Sequence, residues 1–433
     1  MLTKIFAALT ALVIGLAAPQ PTSAQSPLEA RAAEIILYFE GEATAEDIFA
    51  PRMLEALPPA RLDAVRDQLR GQFGAAEAIE GIESAGAYGG VVSYRFERAI
   101  VEMQLAVEPT EPHKITGLLV TGSEMIADDM AAILEEIRAL PGHTSLTVAR
   151  LGETPDYPVE HRAHERMAIG SGFKLWLLAE LQRQITAGER RWDEVIPLTH
   201  RSLPSGILQN WPDASPVTLH TLATLMISIS DNSAADTLLH LLTRERIEAM
   251  MGETGHAAAA VNTPFLSTLD MFRLKSWGDD ELRRAWLDAN PDGRRALLDR
   301  LAEIPASALD PAAMQGDPVL IEEIEWFASG RELVRLLAWL DRHADERARA
   351  ILAINTGIGS AGGDWDYLGF KGGAEPGVLS LSFLGVTATG ERYAVTGSWN
   401  NPEAPVEEAT FATLMSRLMR LLAAAPAPAA AAE

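Results

Sequence analysis

Two residues three apart, Ser171 and Lys174, open the run Ser171-Gly172-Phe173-Lys174-Leu175-Trp176-Leu177-Leu178-Ala179. The run is apolar on nearly all sides, which marks a buried helix. Lysine is rarely buried without a partner. Burial lowers its pKa, so that the neutral amine can accept a proton. Residues three apart share a helix face, which places Lys174 beneath Ser171. A serine at the helix start also meets free backbone N–H groups, which can stabilise an oxyanion. The chemistry this predicts is nucleophilic attack by Ser171 with Lys174 as the base. Taken alone, the pair reads better as an N-cap and a lysine that snorkels to solvent.

Two further groups could complete such a site. Ser230-Asp231-Asn232 lies between the helical runs Thr218 to Ile229 and Ala234 to Leu242. The Ser230 hydroxyl could relay a proton between Lys174 and a leaving group. The Asn232 amide could bond both a lysine and a substrate amide. Lys371-Gly372-Gly373 follows Tyr367-Leu368-Gly369-Phe370. Two glycines on an edge strand let a substrate approach the backbone. Lys371 could bind a carboxylate and hold Ser230, and the Ala374 N–H could join that of Ser171 in an oxyanion hole. Separately, the first group reads as helix capping and the second as a glycine turn.

Together and in this order, the three groups resemble the penicillin-binding proteins and class A β-lactamases. The flanking runs His161 to Ala168, Leu222 to Ile229, Ser233 to Asp236 and Gly390 to Val395 are similar to theirs as well. The resemblance covers roughly residues 145 to 422. It implies an acyl-enzyme on Ser171, with Lys174, Ser230 and Lys371 as catalytic groups. Asn232, Gly372, Gly373 and Ala374 are the implied substrate contacts. The implied substrate is a small molecule: a β-lactam, an ester or a cell-wall-derived peptide. Neither a cofactor nor a metal is implied.

Two departures bear on activity. Relatives commonly carry Thr or Ser where Gly372 stands, and its hydroxyl helps hold the substrate carboxylate. Class A enzymes also have a Glu-x-x-Leu-Asn loop that activates the deacylating water. No such motif lies between Asn232 and Lys371. The acids Glu322, Glu323 and Glu325 are read as a solvated helix face. The long gap between Ser230 and Lys371 predicts a charged helical insertion over Lys275 to Val319. Alternatives are therefore a cell-wall peptidase of the penicillin-binding type, or a β-lactam sensor or trap that is acylated and then stalls. Phe370-Lys371-Gly372-Gly373-Ala374-Glu375-Pro376-Gly377, preceded by an extra small domain, resembles the two-domain β-lactamase-like proteins associated with clavulanic acid biosynthesis.

The elements that must position these residues give an α+β chain of 433 residues, enough for two or three domains. Residues 25–124 are read as a small cone-like α+β domain. Its helices are Leu28 to Phe39 and Ala60 to Phe73, broken at Phe49-Ala50-Pro51. Strands follow at Gly90 to Phe96, Ile100 to Val107 and Ile115 to Val120. This order resembles nuclear-transport-factor-like and ketosteroid-isomerase-like folds. Residues 125–422 are read as the hydrolase domain, an antiparallel sheet flanked by helices. It starts with a helix from Met125 to Leu140 and strands at Leu146 to Leu151 and His161 to Ala168. Strands return at Leu368 to Phe370, Val378 to Val386 and Arg392 to Trp399, before a helix from Val406 to Leu422. The Ala/Pro-rich residues 423–433 read as a disordered tail.

Composition narrows the setting. Lys4, the apolar stretch Ile5 to Ala18 and the small residues Thr22-Ser23-Ala24 read as a signal peptide over residues 1–24. A periplasmic or secreted protein is expected, with no stable membrane insertion after cleavage. The stretch is short of the roughly 20 apolar residues a span needs. Cysteine is absent, which removes disulfides, thiol chemistry and an N-terminal lipid anchor. The net charge of −24 and the lack of dense basic runs exclude nucleic acid as a partner. The histidines lack metal-ligand spacing. Ile169 stands where Gly-x-Ser-x-Gly needs glycine, which argues against an α/β-hydrolase elbow. Oligomeric state is not encoded in any pattern seen here.

Overall fold

The computed structural model describes residues 26–126, 128–202, 204–257, 259–276, 280–309 and 316–425. The leader expected over residues 1–24 and the tail from residue 426 lie outside them. Chain contacts divide the protein into Met1–Ala127 and Asp128–Glu433.

In the first unit, helices α1 (Pro27–Glu40), α2 (Ala45–Ile48), α3 (Pro51–Ala56) and α4 (Pro59–Phe73) precede four strands. These are β1 (Ala76–Ser84), β2 (Gly89–Phe96), β3 (Ala99–Val107) and β4 (Ile115–Met125), paired antiparallel in chain order. Ser26 starts α1 with a reciprocal capping box to Glu29. Alternate residues of β2 and β3 turn inward, so Val92, Tyr94, Phe96, Val101, Met103 and Leu105 meet Leu28, Ile35 and Phe39 of α1. Sequence reading missed β1. It is an edge strand with a mostly exposed pattern, so Glu77, Glu80 and Glu83 hide any apolar alternation.

The second unit begins with α5 (Met130–Ala139) and strands β5 (His143–Leu151), β6 (Asp156–His161) and β7 (Met167–Ala168). Helix α5 starts later than expected, because Met125 completes β4 and Asp129 caps the helix through Ala132 N at 2.7 Å. The strand expected over His161 to Ala168 is two strands, interrupted by a turn where Arg162 takes φ 46°. Next come α6 (Lys174–Thr186), the short pair β8 (Val195–Pro197) and β9 (Pro216–Thr218), α7 (Leu219–Ser228), α8 (Asn232–Leu242) and α9 (Arg244–Glu253). Helices α10 (Thr268–Ser276), α11 (Asp280–Asp288) and α12 (Pro291–Ala302) fill most of the expected insertion. Strand β10 (Phe327–Ala328), α13 (Gly330–His343) and α14 (Glu346–Leu352) follow. The chain closes with β11 (Trp365–Glu375), β12 (Val378–Thr387), β13 (Arg392–Asn400) and α15 (Glu408–Ala424).

Five strands form one antiparallel sheet in the order β11-β12-β13-β5-β6, so its members come from both ends of the unit. Adjacent residues on a strand face opposite ways. Phe383, Val395 and Val148 pack with Phe411 and Met415 of α15. Their neighbours Leu384, Ala394 and Ala149 pack with α6 and α13. Both faces are covered, which explains the near-continuous apolar runs of β12 and β13. Helix α6 is the centre of the helical side, with every residue from Lys174 to Gln182 buried. Among the described residues, no helix is long and apolar enough to cross a membrane.

Candidate active site

Ser171 stands where a clamped strand turns into a buried helix. Strands β7 and β10 pair over only two residues, Met167 with Ala328 and Ala168 with Phe327. Two asparagine amides extend this ladder on its outer edges. Asn400 accepts from Ala168 N at 2.8 Å and donates to Ala168 O at 3.0 Å. Asn262 accepts from Phe327 N at 2.9 Å and donates to Phe327 O at 2.8 Å. Each amide mimics a neighbouring strand and satisfies a buried peptide. Gly170 then takes φ 47°, and a single 3-10 turn from Gly170 to Phe173 feeds α6. Phe173 is stacked on Trp326 at 3.9 Å, which fixes the turn from the far side.

Lys174 follows one turn later and is wholly buried. Its Nζ lies 2.6 Å from Ser230 O, 3.0 Å from Ser230 Oγ and 2.7 Å from Asn232 Oδ1. Burial, helped by the positive charge of Lys371, pushes its pKa well below the ordinary 10.5. Asp231 serves the loop instead of the cleft. Its carboxylate caps α8 through Ala234 N at 2.8 Å and accepts from Ile207 N and Leu208 N at 2.7 and 2.9 Å. Capping and lysine binding are therefore combined in one tripeptide. Ser230 sits in the left-handed region at φ 58°, a conformation that costs a non-glycine residue about 1–3 kcal/mol.

Strand β11 brings the third group. Lys371 is buried and donates to Ser230 Oγ at 3.1 Å. Burial lowers its pKa to about 7. The Ser230 hydroxyl thus lies between two lysines, both held toward their neutral forms. Gly373 passes against the turn at Ser171: a Cβ there would lie 2.1 Å from Ile169 O and 2.6 Å from Ser171 N. Ala374 N lies 3.2 Å from the Cβ position of Gly170, so its amide borders the same turn. At Gly372 a Cβ would meet the Phe370 ring at 2.9 Å. That ring occupies the space beside the position where relatives carry a hydroxyl.

Ser171, Ser230, Asn232, Gly372, Gly373 and Ala374 line one cleft of about 410 Å³, with Lys174 and Lys371 buried behind Ser230. All eight residues picked out by sequence are thereby brought together. One expectation is corrected. Residues 321–325 form a turn, and of the three acids only Glu322 and Glu323 are exposed. The Glu325 side chain is fully buried, 3.0 Å from Lys275 Nζ, and lines the cleft. Glu375 lines it too and accepts from the same lysine. Sequence reading missed Lys275 and Glu375. Strand alternation was a signal for the latter, since Lys371, Gly373 and Glu375 share a face. Among the described residues, no group of histidine or acidic side chains could hold a metal ion.

Residues 126–316 match the β-lactamase enzyme family. The match includes Ser171, Lys174 and Ser230 and stops before β11. No curated protein matches the chain. Among solved structures, a β-lactamase from Sphaerobacter thermophilus is 21% identical over 68% of this chain and 94% of its own, with a TM-score of 0.45. A β-lactamase from Chitinophaga pinensis is 15% identical over 68% of this chain and 97% of its own, with a TM-score of 0.47. PBP-A is 15% identical over 68% of this chain and 93% of its own, with a TM-score of 0.46.

Proposed function

We propose that the chain, whose residues 126–316 match the β-lactamase enzyme family, is a serine hydrolase working through an acyl-enzyme on Ser171. The observation that carries this reading is the convergence of Lys174 and Lys371 on one hydroxyl, that of Ser230, at the cleft lined by Ser171.

Neutral Lys174 takes the proton of Ser171 as Oγ attacks a lactam, ester or amide carbonyl. The Ser171 and Ala374 N–H groups receive the developing oxyanion. Ser230 passes the proton to the leaving group, and Lys371 holds a substrate carboxylate. Asn232 orients Lys174 and bonds the substrate amide. The signal-peptide reading of residues 1–24 supports export of this activity to the periplasm or beyond the cell. The test is intact-protein mass after incubation with a penicillin or an activated-ester probe. Wild type is expected to gain the mass of the acyl group, and Ser171→Ala to gain nothing. An equal gain in the variant would remove Ser171 as the nucleophile.

A further inference from the structure

Three residues of β11 share one face in succession. Lys371 meets Ser230, Gly373 meets Ser171, and Glu375 is next along the same face. Glu375 is gripped by Lys275 of α10, which also holds Glu325 at 3.0 Å. The two acids differ in what they have left to give. Glu325 has a fully buried side chain, with Oε1 on Lys275 and Oε2 accepting from Trp326 N at 3.0 Å. Glu375 keeps 14% of its side chain open and lines the cleft with Ser171. It is the member of the cluster that can reach a water there.

We propose that Glu375 is the general base that hydrolyses the acyl-enzyme, with Lys275 and Glu325 as the residues that position it. The proposal rests on the acyl-enzyme reading above. A water in the cleft bonds through oxygen to the ester carbon of acyl-Ser171 as its proton passes to the Glu375 carboxylate. The tetrahedral intermediate collapses and the bond from carbon to Oγ breaks. The proton taken by Glu375 is returned to Oγ, leaving a carboxylic acid and free enzyme. The base therefore comes from the strand bearing Lys371, and the missing Glu-x-x-Leu-Asn loop is not needed.

The cluster also sets the pH at which the base is available. The groups facing Glu375 are Lys275 from α10 and Glu325 from the turn before β10, with Lys371 further along its own strand. Burial, then the charge of Glu325, raises the Glu375 pKa well above the ordinary carboxylate range against the pull of Lys275. Turnover accordingly climbs as the pH rises and Glu375 gives up its proton.

The test is stopped-flow kinetics of the full chain with a chromogenic cephalosporin, with intact mass followed in parallel. Glu375→Gln is expected to keep the acylation burst within about threefold and to lower the later rate by about 100-fold or more, leaving a persistent adduct. Glu325→Gln removes a like charge and should move the midpoint of the deacylation profile to lower pH. Lys275→Met removes a cation and should move it higher. A purely structural cluster would shift neither midpoint. A later rate within threefold of wild type in Glu375→Gln overturns the proposal, as does loss of the burst to the same degree. If that variant does not fold, the wild-type profile decides: a later rate that is flat between pH 6 and 9 overturns it. A wild type that is acylated but never released overturns this inference alone. One that is never acylated overturns the acyl-enzyme reading as well.

Discussion

Gly373 crosses Ser171 so closely that a Cβ on the glycine would fall 2.6 Å from the serine amide nitrogen. The strand and the nucleophile turn are therefore in backbone contact, and any side chain at residue 373 must push them apart. Gly373→Ala is expected to destabilise the protein by about 1–3 kcal/mol, the usual cost of overpacking. Acylation should fall further than stability does, because the same shift moves the Ala374 and Ser171 amides off a common oxyanion. Urea unfolding and burst kinetics on one preparation would check this. An alanine variant with wild-type burst rate would show that the close approach does not serve the site.

Lys174 offers a sharper separation of chemistry from fold. Its amine is held by Ser230 and Asn232 and kept toward neutrality by burial and by Lys371. Lys174→Met keeps most of the volume and removes the base. The acylation rate should drop by about 100- to 10,000-fold. In wild type the rate should fall as the pH drops and the amine takes up a proton, since only the neutral amine accepts one from Ser171. A methionine variant acylated within a few-fold of wild type would remove Lys174 from the mechanism.

Much of this site is legible in the sequence, for local reasons. Ser171 and Lys174 are one helical turn apart, Ser230 to Asn232 is a single tripeptide, and Lys371 to Ala374 is one strand. Short-range geometry alone fixes how each group is presented. Strands β12 and β13 are readable because both of their faces are covered. Glu325 was misread for the opposite reason. Its neighbours Glu322 and Glu323 are exposed, and the lysine that draws it inward, Lys275, is 50 positions away. Strand β1 escaped notice because an exposed edge needs no apolar alternation. Burial that depends on a distant partner leaves no periodic trace in the chain.

The amide clamps on the β7–β10 ladder predict a stability cost that reaches the site. Asn400 is buried and satisfies both peptide groups of Ala168, three residues before Ser171. Asn400→Ala would orphan a buried N–H and C=O. Each costs about 1–3 kcal/mol, so a loss of roughly 2–6 kcal/mol is expected. Asn400→Asp should recover only part of it, because a carboxylate accepts from Ala168 N but donates nothing to Ala168 O. Denaturant midpoints of the two variants would show the order. Equal stability of wild type and Asn400→Ala would mean that water replaces the amide at no cost.

Lys371 should trade stability for function, and the sign of its pH dependence follows from its burial. Its pKa is about 7 in the folded protein against an ordinary 10.5. Between these values the unfolded chain holds the extra proton, so folding stability rises with pH through that window. Below about pH 7 the lysine is charged in both states, and the full cost of burying the cation is felt. Lys371→Met removes that cost. Relative to the methionine variant, wild type should gain on the order of 2–3 kcal/mol in stability between pH 6 and pH 9, at about 1.4 kcal/mol per unit within the window. The variant should at the same time lose acylation by carboxylate-bearing substrates, because the cation beside Ser230 is gone. Urea unfolding of both proteins at pH 6 and pH 9 checks the argument. A stability difference that does not change with pH would mean that Lys371 keeps its charge in the fold. It would then act on Ser230 as a permanent cation and not as a group poised near neutrality.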